Sequence, residues 1–257
     1  MILSEKIKFN FKGKKILLVG LGMLGGGEGV ARFLLKAGAK LTITDLRQKN
    51  EFYNVLKKFS GKKVKFVLGR HRFLDFKSAD IIVKNPAVSY DSPFIKHAKR
   101  FGKKIVSETK IFFDLVPREK IIGITGTKGK TITAMLLARL LQGRFKVVLV
   151  GNMPGHSALE SLLNLKKMPD FFVYELSSFN LEGLNKSPKY AIITNIFPDH
   201  LNRYKNFSEY KKVKANIFKY QKWGDFLWLG KKKDTSFDIA QKAALSLGIS
   251  PENIKKS

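Results

Sequence analysis

Two successive α/β domains, each a parallel sheet with helices on both faces, are the fold class this sequence predicts. Three observations carry it. Strand-like apolar runs alternate with helix-like segments through most of the chain; a glycine-rich turn follows the first strand of each series and leads into a helix; and Val116-Pro117-Arg118 interrupts the periodicity between the two series. Parallel strands need crossover connections, usually helical, so alternation of the two periods is the mark of such a sheet.

The first series opens with a strand at Lys15–Val19, a helix at 29–37 and a strand at 41–44, which together make a βαβ unit. Apolar runs at 64–68, 81–83 and 105–106, with an amphipathic stretch at 94–101, extend it into a Rossmann-like doubly wound sheet. Proline disfavours helix at the residue before it, so the boundary is set at 117/118: residues 1–117 form the first domain and 118–257 the second. The second series starts at Ile121, continues through a helix at 130–141, and has strands at 147–150, 171–174, 190–194 and 226–229 and helices at 207–220 and 236–247. Ser250-Pro251-Glu252 is a helix start, with serine as N-cap and proline at the first helical position, and six residues follow Pro251 in the sequence. The expectation is a chain cut off within its second domain, or one whose remainder is supplied separately.

At 257 residues and 29.1 kDa the chain can bury two cores of ordinary domain size. No apolar run reaches the length of a membrane span, and the amino terminus has no signal-peptide pattern, so a cytoplasmic protein without membrane contact is expected. The absence of cysteine excludes disulfides, thiolate metal sites and cysteine nucleophiles; a metal would be held by oxygen or imidazole. The net charge of +29 comes from 49 basic residues, mostly lysine, scattered in ones and twos without arginine clusters or aromatic interleaving. That pattern is a solvated surface attractive to anions, and no nucleic-acid partner is expected.

The segment Ile121-Ile-Gly-Ile-Thr-Gly-Thr-Lys-Gly-Lys-Thr-Ile-Thr133 carries most of the chemistry. Glycines let the backbone take positive φ and approach a ligand, and the helix N-terminus that follows turns its amides toward an anion. Residues Gly126, Thr127, Lys128, Gly129, Lys130, Thr131, Ile132 and Thr133 are therefore the candidate ATP site, with Lys130 on the β/γ-phosphates and Thr131 on Mg²⁺. The spacing is irregular for a P-loop, because five residues separate Gly123 from Gly129 where the usual pattern has four. The earlier turn, Gly20-Leu-Gly-Met-Leu-Gly25, also sits between strand and helix, and Asp45 closes the next strand about twenty residues on. Its residues alone leave open a dinucleotide site, another nucleotide site, or an empty scaffold.

Glu175 ends the apolar run 171–174 at a strand's carboxyl end, where α/β sheets bind ligands, so it is placed to hold Mg²⁺. On the helix at 207–220, Tyr210, Val213 and Ile217 mark the inward face and Lys214 borders it. A lysine on a helix edge by itself is more simply a snorkelling side chain.

These motifs together resemble the Mur ligases. Gly-x-x-Gly-Thr-x-Gly-Lys-Thr at 123–131 is the variant P-loop of Mur ligases and folylpolyglutamate synthetases, so the irregular spacing is a family trait. Asp45-Leu46-Arg47, Asn85-Pro-Ala-Val88, Gly151-Asn152, Glu175-Leu-Ser-Ser-Phe-Asn-Leu181, and Asn195-Ile-Phe-Pro-Asp-His200-Leu-Asn-Arg-Tyr204 resemble, in order, segments of the branch that adds D-glutamate, with Ala87, Pro154, Asn180 and Asn202 as departures. The resemblance implies a UDP-substrate site at Gly22, Met23, Leu24, Gly25, Asp45, Leu46, Arg47, Asn85, Asn152, Ser177 and Asn180. It implies catalytic roles for Lys130, Glu175, His200 and Lys214, with Mg²⁺ held through Thr131, Glu175, His200 and a Lys214 carbamylated by CO₂. The activity implied is ATP-dependent joining of D-glutamate to UDP-N-acetylmuramoyl-L-alanine through an acyl phosphate in peptidoglycan synthesis. The family's carboxyl-terminal domain is not found in this sequence, so the resemblance also implies a monomer that needs a separately encoded domain. The alternatives are a non-catalytic nucleotide-binding remnant and an oxidoreductase.

Overall fold

The protein, seen in a computed structural model, is described over residues 10–22, 26–163 and 165–255. It divides into two units: Met1–Leu115 with Ser157–Asn164, and Val116–His156 with Leu165–Ser257. Residues 157–164, assigned to the second domain by sequence reading, group with the first unit.

The first unit holds strands β1 (Lys15–Val19), β2 (Lys40–Asp45), β3 (Val64–Leu68), β4 (Ile81–Lys84) and β5 (Lys104–Ser107), all parallel in the order β3-β2-β1-β4-β5. Its helices are α1 (Gly26–Lys36), α2 (Tyr53–Lys57), α3 (Phe73–Ser78), α4 (Pro93–Arg100) and α5 (Glu108–Leu115). Ile16 through Val19 are buried on both sheet faces, which is why β1 reads as an unbroken apolar run instead of an alternating one. Leu17, Val19 and Ile82 pack against Phe76, Ala79, Ile95 and Ala98 of α3 and α4 and the turn after α3. Helix α1 begins three residues earlier than its apolar period suggests, because glycines open it. Gly27 must be glycine, since a Cβ there would lie 2.0 Å from the Leu21 carbonyl oxygen.

The second unit holds β6 (Ile121–Thr125), β7 (Val147–Gly151), β8 (Phe171–Glu175), β9 (Tyr190–Ile193) and β10 (Phe226–Leu229), parallel in the order β10-β9-β6-β8-β7. Its helix α6 (Lys130–Gln142) precedes the short α7 (Ala158–Ser161) of the first unit; α8 (Ser178–Leu181), α9 (Phe207–Ala215), α10 (Ser236–Ser246) and α11 (Pro251–Lys255) complete it. Strand β6 is central and wholly buried. On one face of the sheet α6 meets α10, and Ala240, Ala243 and Ala244 let the two helices close over Ile122, Ile124, Val173 and Ile192. Thr235 and Asp238 cap α10 reciprocally: the Asp238 amide donates to Thr235 Oγ1 at 3.2 Å and the Thr235 amide to Asp238 Oδ2 at 2.8 Å. Helix α9 stops at 215, short of the expected 220, because tertiary partners take over: the Asn216 carbonyl accepts from Ser187 Oγ at 3.0 Å, and its side-chain amide donates to Leu181 O at 3.0 Å. Among the described residues no helix is long and apolar enough to cross a membrane.

Within the first unit, α7 is fastened by a buried carboxylate. Glu108 Oε1 accepts from Ser157 Oγ at 2.6 Å and from the Leu159 amide at 3.1 Å, and burial raises its pKa above the ordinary carboxylate range. Gly29 of α1 faces the same segment so closely that a Cβ would lie 2.4 Å from Ser157 Cβ. Gly29→Ala is therefore expected to destabilise the first unit by about 2 kcal/mol despite alanine's better helix propensity. Denaturant unfolding measures this, and an unchanged midpoint would refute the close approach.

Candidate nucleotide sites

In the first unit a cavity of 630 Å³ opens at the carboxyl ends of β1, β2 and β4, where the strand order reverses and α/β sheets bind ligands. It is lined by Gly20, Gly22, Asp45, Leu46, Arg47, His71 and Asn85, among others. Gly20 and Gly22 have φ of +86° and +72°, and a Cβ at Gly20 would lie 2.9 Å from Asn85 Cβ, so the turn and the Asn85 loop touch. Met23, Leu24 and Gly25, expected at this site, lie outside the described residues. A larger open groove of 970 Å³ at the amino ends of β1–β3, rimmed by Lys15, Lys40, Lys62, Lys63 and Lys65, has no glycine cradle and lies at the end of the sheet away from the chemistry.

Asp45 is a hub in the cavity wall. Its Oδ2 accepts from the Leu21 amide at 2.8 Å and Arg47 Nη2 at 3.0 Å, and its Oδ1 from the Arg47 amide at 3.0 Å and Arg47 Nε at 3.2 Å. Burial would raise its pKa, but the hydrogen bonds from Arg47 and Leu21 outweigh it and hold the carboxyl below its ordinary value. The Arg47 guanidinium also lies 4.7 Å over the Phe52 ring, which fixes the cation at the rim.

In the second unit the P-loop is held in its cradle shape by the end of β9. The Thr127 amide donates to Asn195 O at 2.9 Å, the Lys128 amide to Asn195 Oδ1 at 2.9 Å, and Thr194 Oγ1 and Asn195 Nδ2 both donate to Lys128 O, at 2.7 and 3.1 Å. Lys130 Nζ folds over the loop onto Thr127 O at 2.8 Å. Thr131 Oγ1 donates to Glu175 Oε2 at 3.0 Å, joining the start of α6 to the end of β8. Burial raises the Glu175 pKa, opposed by the Thr131 hydroxyl and Lys130. Ile132 is exposed and Thr133 is buried in the first turn of α6.

Lys214, 1% exposed, donates from Nζ to Gly126 O at 2.7 Å and Thr125 Oγ1 at 3.3 Å. Burial, reinforced by Lys130 and opposed by Asp199, lowers its pKa to about 7, so much of this amine is neutral near neutrality. One turn earlier Tyr210 lies with its hydroxyl 3.1 Å from Thr127 Oγ1 and its ring 4.9 Å from Lys214 Nζ. His200 is exposed beside the Phe179 ring, 4.9 Å between centroids, and its φ of +53° is the one positive value at a non-glycine residue among the described residues. Such backbone strain concentrates at functional sites.

The structure thus brings Lys130, Thr131, Glu175 and Lys214 to one loop and sets His200 near Tyr210, 6.3 Å between ring centroids. Asn152 is exposed, with its amide 3.3 Å from Glu175 O. Asn180 Oδ1 is taken by the Ser177 amide at 3.0 Å and Ser177 Oγ at 2.5 Å, which gives both residues a capping role on α8. Thr131 beside Glu175 suits a hydrated Mg²⁺ on a nucleotide's phosphates. Among the described residues no group of three or more His, Asp or Glu side chains could hold a metal ion by itself. Sequence reading missed Thr194 and Asn195 as holders of the P-loop, and His71. Asn195 could have been suspected as the first residue of the segment that ends in Asp-His.

A Rossmann-like domain followed along the chain by a glycine-cradle nucleotide domain is the class these two units define. The chain belongs to the Mur ligase family: residues 124–255 match the Mur ligase middle domain and residues 14–107 the MurD-like N-terminal domain of Mur ligases. It is 46% identical over 217 residues to a UDP-N-acetylmuramoylalanine–D-glutamate ligase of Roseiflexus sp., covering 83% of this chain and 46% of that protein. With the enzyme of that name from Geobacter metallireducens it shares 35% identity over 251 residues, covering 92% of this chain and 54% of the relative. The chain therefore spans about half the length of these curated relatives. Among solved structures, the UDP-N-acetylmuramate–alanine ligase MurC of Thermotoga maritima aligns at a TM-score of 0.54 and 27% identity, covering 88% of this chain and 51% of that one. The UDP-N-acetylmuramate:L-alanyl-γ-D-glutamyl-meso-diaminopimelate ligase of Neisseria meningitides has the same fold at a TM-score of 0.57 and 16% identity, covering 92% of this chain and 75% of that one.

Proposed function

We propose that this chain is the nucleotide-binding part of an ATP-dependent amide ligase that adds D-glutamate to UDP-N-acetylmuramoyl-L-alanine. The observation that carries it is the P-loop with Lys130 and the Thr131–Glu175 pair, in a chain whose curated relatives bear that activity in their names.

In this reading the first unit's cavity takes the uridine nucleotide, its diphosphate against the Gly20–Gly22 turn and its base toward Asp45 and Arg47. The P-loop amides and Lys130 hold the ATP phosphates; Lys130 swings from Thr127 O to the γ-phosphate as that group is transferred to the alanine carboxylate. Thr131 and Glu175 would hold Mg²⁺, which neutralises phosphate charge when bound. Lys214 is buried and much of its amine is neutral, so the neutral amine can add to CO₂, losing a proton and becoming a carbamate anion; this places a negative charge beside the loop. Positioning and charge neutralisation supply the rate, and D-glutamate attack on the acyl phosphate completes the amide.

Calorimetry on the chain with Mg-ATP and with UDP-N-acetylmuramoyl-L-alanine tests the reading, alongside phosphate release with D-glutamate present. Binding of both nucleotides, each lost on changing its own site (Lys130→Ala for ATP, Arg47→Ala for the uridine nucleotide), is the expected result. A chain that binds neither, or binds NADH in the first unit instead, refutes it.

A further inference from the structure

We propose that His71 reads the base in the first unit's cavity: its Nε2 accepts a hydrogen bond from the imide N3–H of uracil, so the cavity takes uracil and discriminates against cytosine. The inference rests on the reading of that cavity as a uridine-nucleotide site and goes further, to how the base is chosen.

The tautomer follows from one proton count. Thr44, fully buried at the end of β2, has a hydroxyl with a single hydrogen. Its Oγ1 lies 3.1 Å from the Arg70 carbonyl oxygen, which can only accept, so the hydroxyl proton goes there. His71 Nδ1 lies 2.8 Å from the same Oγ1 and must therefore donate to it. A neutral imidazole with its hydrogen on Nδ1 carries a lone pair on Nε2, across the ring from Thr44. Burial supports the neutral form, because it lowers the His71 pKa, with Asp45 opposing.

The ring is also held still. Phe94 and Phe76 stand edge-on to it, at centroid distances of 5.1 and 5.8 Å. The turn that carries it is tied to the segment after β2 by the Gly69 amide donating to Arg47 O at 2.7 Å, and a Cβ at Gly69 would lie 2.7 Å from Gln48 Oε1. The carboxylate and the side-chain amide oxygen that also line the cavity are engaged, and its serine hydroxyls can donate as well as accept. Both Asp45 oxygens serve Leu21 and Arg47, and Asn85 Oδ1 accepts from the Ala87 amide at 3.0 Å. His71 Nε2 is thus an acceptor with no hydrogen-bond partner among the described residues, on a ring that lines the cavity.

The chemistry matches one edge of one base. Phosphates belong at the glycine turn after β1, which leaves the ends of β2 and β3, where Asp45 and His71 sit, for the nucleoside. Uracil offers N3–H as a donor; cytosine has a lone pair at N3 and would set acceptor against acceptor. A site with a committed acceptor discriminates because the wrong partner leaves it buried and unpaired.

The test uses the full chain, with UDP and CDP as probes in calorimetry. Wild-type protein is expected to prefer UDP, and His71→Phe, which keeps the ring contacts and loses the acceptor, is expected to bind UDP about 10-fold more weakly and to level the UDP/CDP ratio. In ¹⁵N spectra of wild-type imidazoles, Nε2 of His71 should be the unprotonated nitrogen and should shift with UDP and not with CDP. His71→Phe binding UDP like wild type, or keeping its preference, overturns the proposal; so does a spectrum with Nδ1 unprotonated, which decides the matter even if the variant misfolds. A wild-type chain that binds no uridine nucleotide fails the site reading itself, and is told apart because the wild-type measurement alone reports it.

Discussion

Gly126→Ala is expected to abolish Mg-ATP binding, lowering affinity by about 100-fold or more, and to destabilise the second unit by about 3 kcal/mol. Gly126 has φ of +153°, a conformation L side chains rarely adopt, and a Cβ on it would lie 1.9 Å from Thr194 Oγ1 and 3.1 Å from Asn195 O. Thr194 cannot turn aside freely, because its hydroxyl donates to Lys128 O in the same loop. Relieving the clash therefore opens the cradle whose amides would face the phosphates. Gly129→Ala is the milder comparison: its φ is +79°, and the only near atom is Ser236 Oγ at 3.0 Å, the end of a short polar side chain. Calorimetry with Mg-ATP and denaturant unfolding read both effects, and an alanine variant at 126 that binds as tightly as the parent would disprove the account of the loop.

The second large effect is a pH-dependent stability carried by Lys214. In the folded chain its pKa is lowered to about 7 from an ordinary 10.5, because burial penalises the ammonium and Lys130 adds repulsion. Between those values the unfolded chain holds a proton that the folded chain has released, so folding stability rises with pH across the window from about 7 to 10.5. Below the window both states are protonated, and above it both are neutral. Relative to Lys214→Met, the wild-type chain in CO₂-free buffer should gain on the order of 4 kcal/mol across that range. Denaturant midpoints taken at several pH values give the difference directly; parallel curves for the two proteins would contradict a lowered pKa. Supplying ¹³C-bicarbonate near pH 8 should then produce a carbamate resonance in the wild type that Lys214→Met lacks.

How legible each part was depended on whether its cause is local. Strand β1 and helix α6 were visible in the sequence because burial on two faces, or on one stripe, imposes a period on neighbouring residues. The glycine turns were visible because positive φ and close approach demand a residue type, as at Gly20 and Gly126. Helix α9 was read five residues too long, since what ends it is a pair of bonds from Asn216 to Ser187 and Leu181, 29 and 35 residues away. The start of α1 was read late because glycines there hide the period.

By itself, then, the sequence determined the two α/β series, the P-loop, the acid at the end of β8 and the place of Lys214 at the border of an inward helix face, all of which follow from spacing and residue type over a few turns of chain. Only the tertiary structure decided that Thr194 and Asn195 hold the P-loop, that Lys214 is nearly dry and tied to the Gly126 carbonyl, that residues 157–164 join the first unit, and that Thr44 Oγ1 meets His71 Nδ1. Those outcomes depend on hydrogen bonds and desolvation between residues far apart in the chain, and no local period or propensity encodes which distant partner a buried polar group will meet.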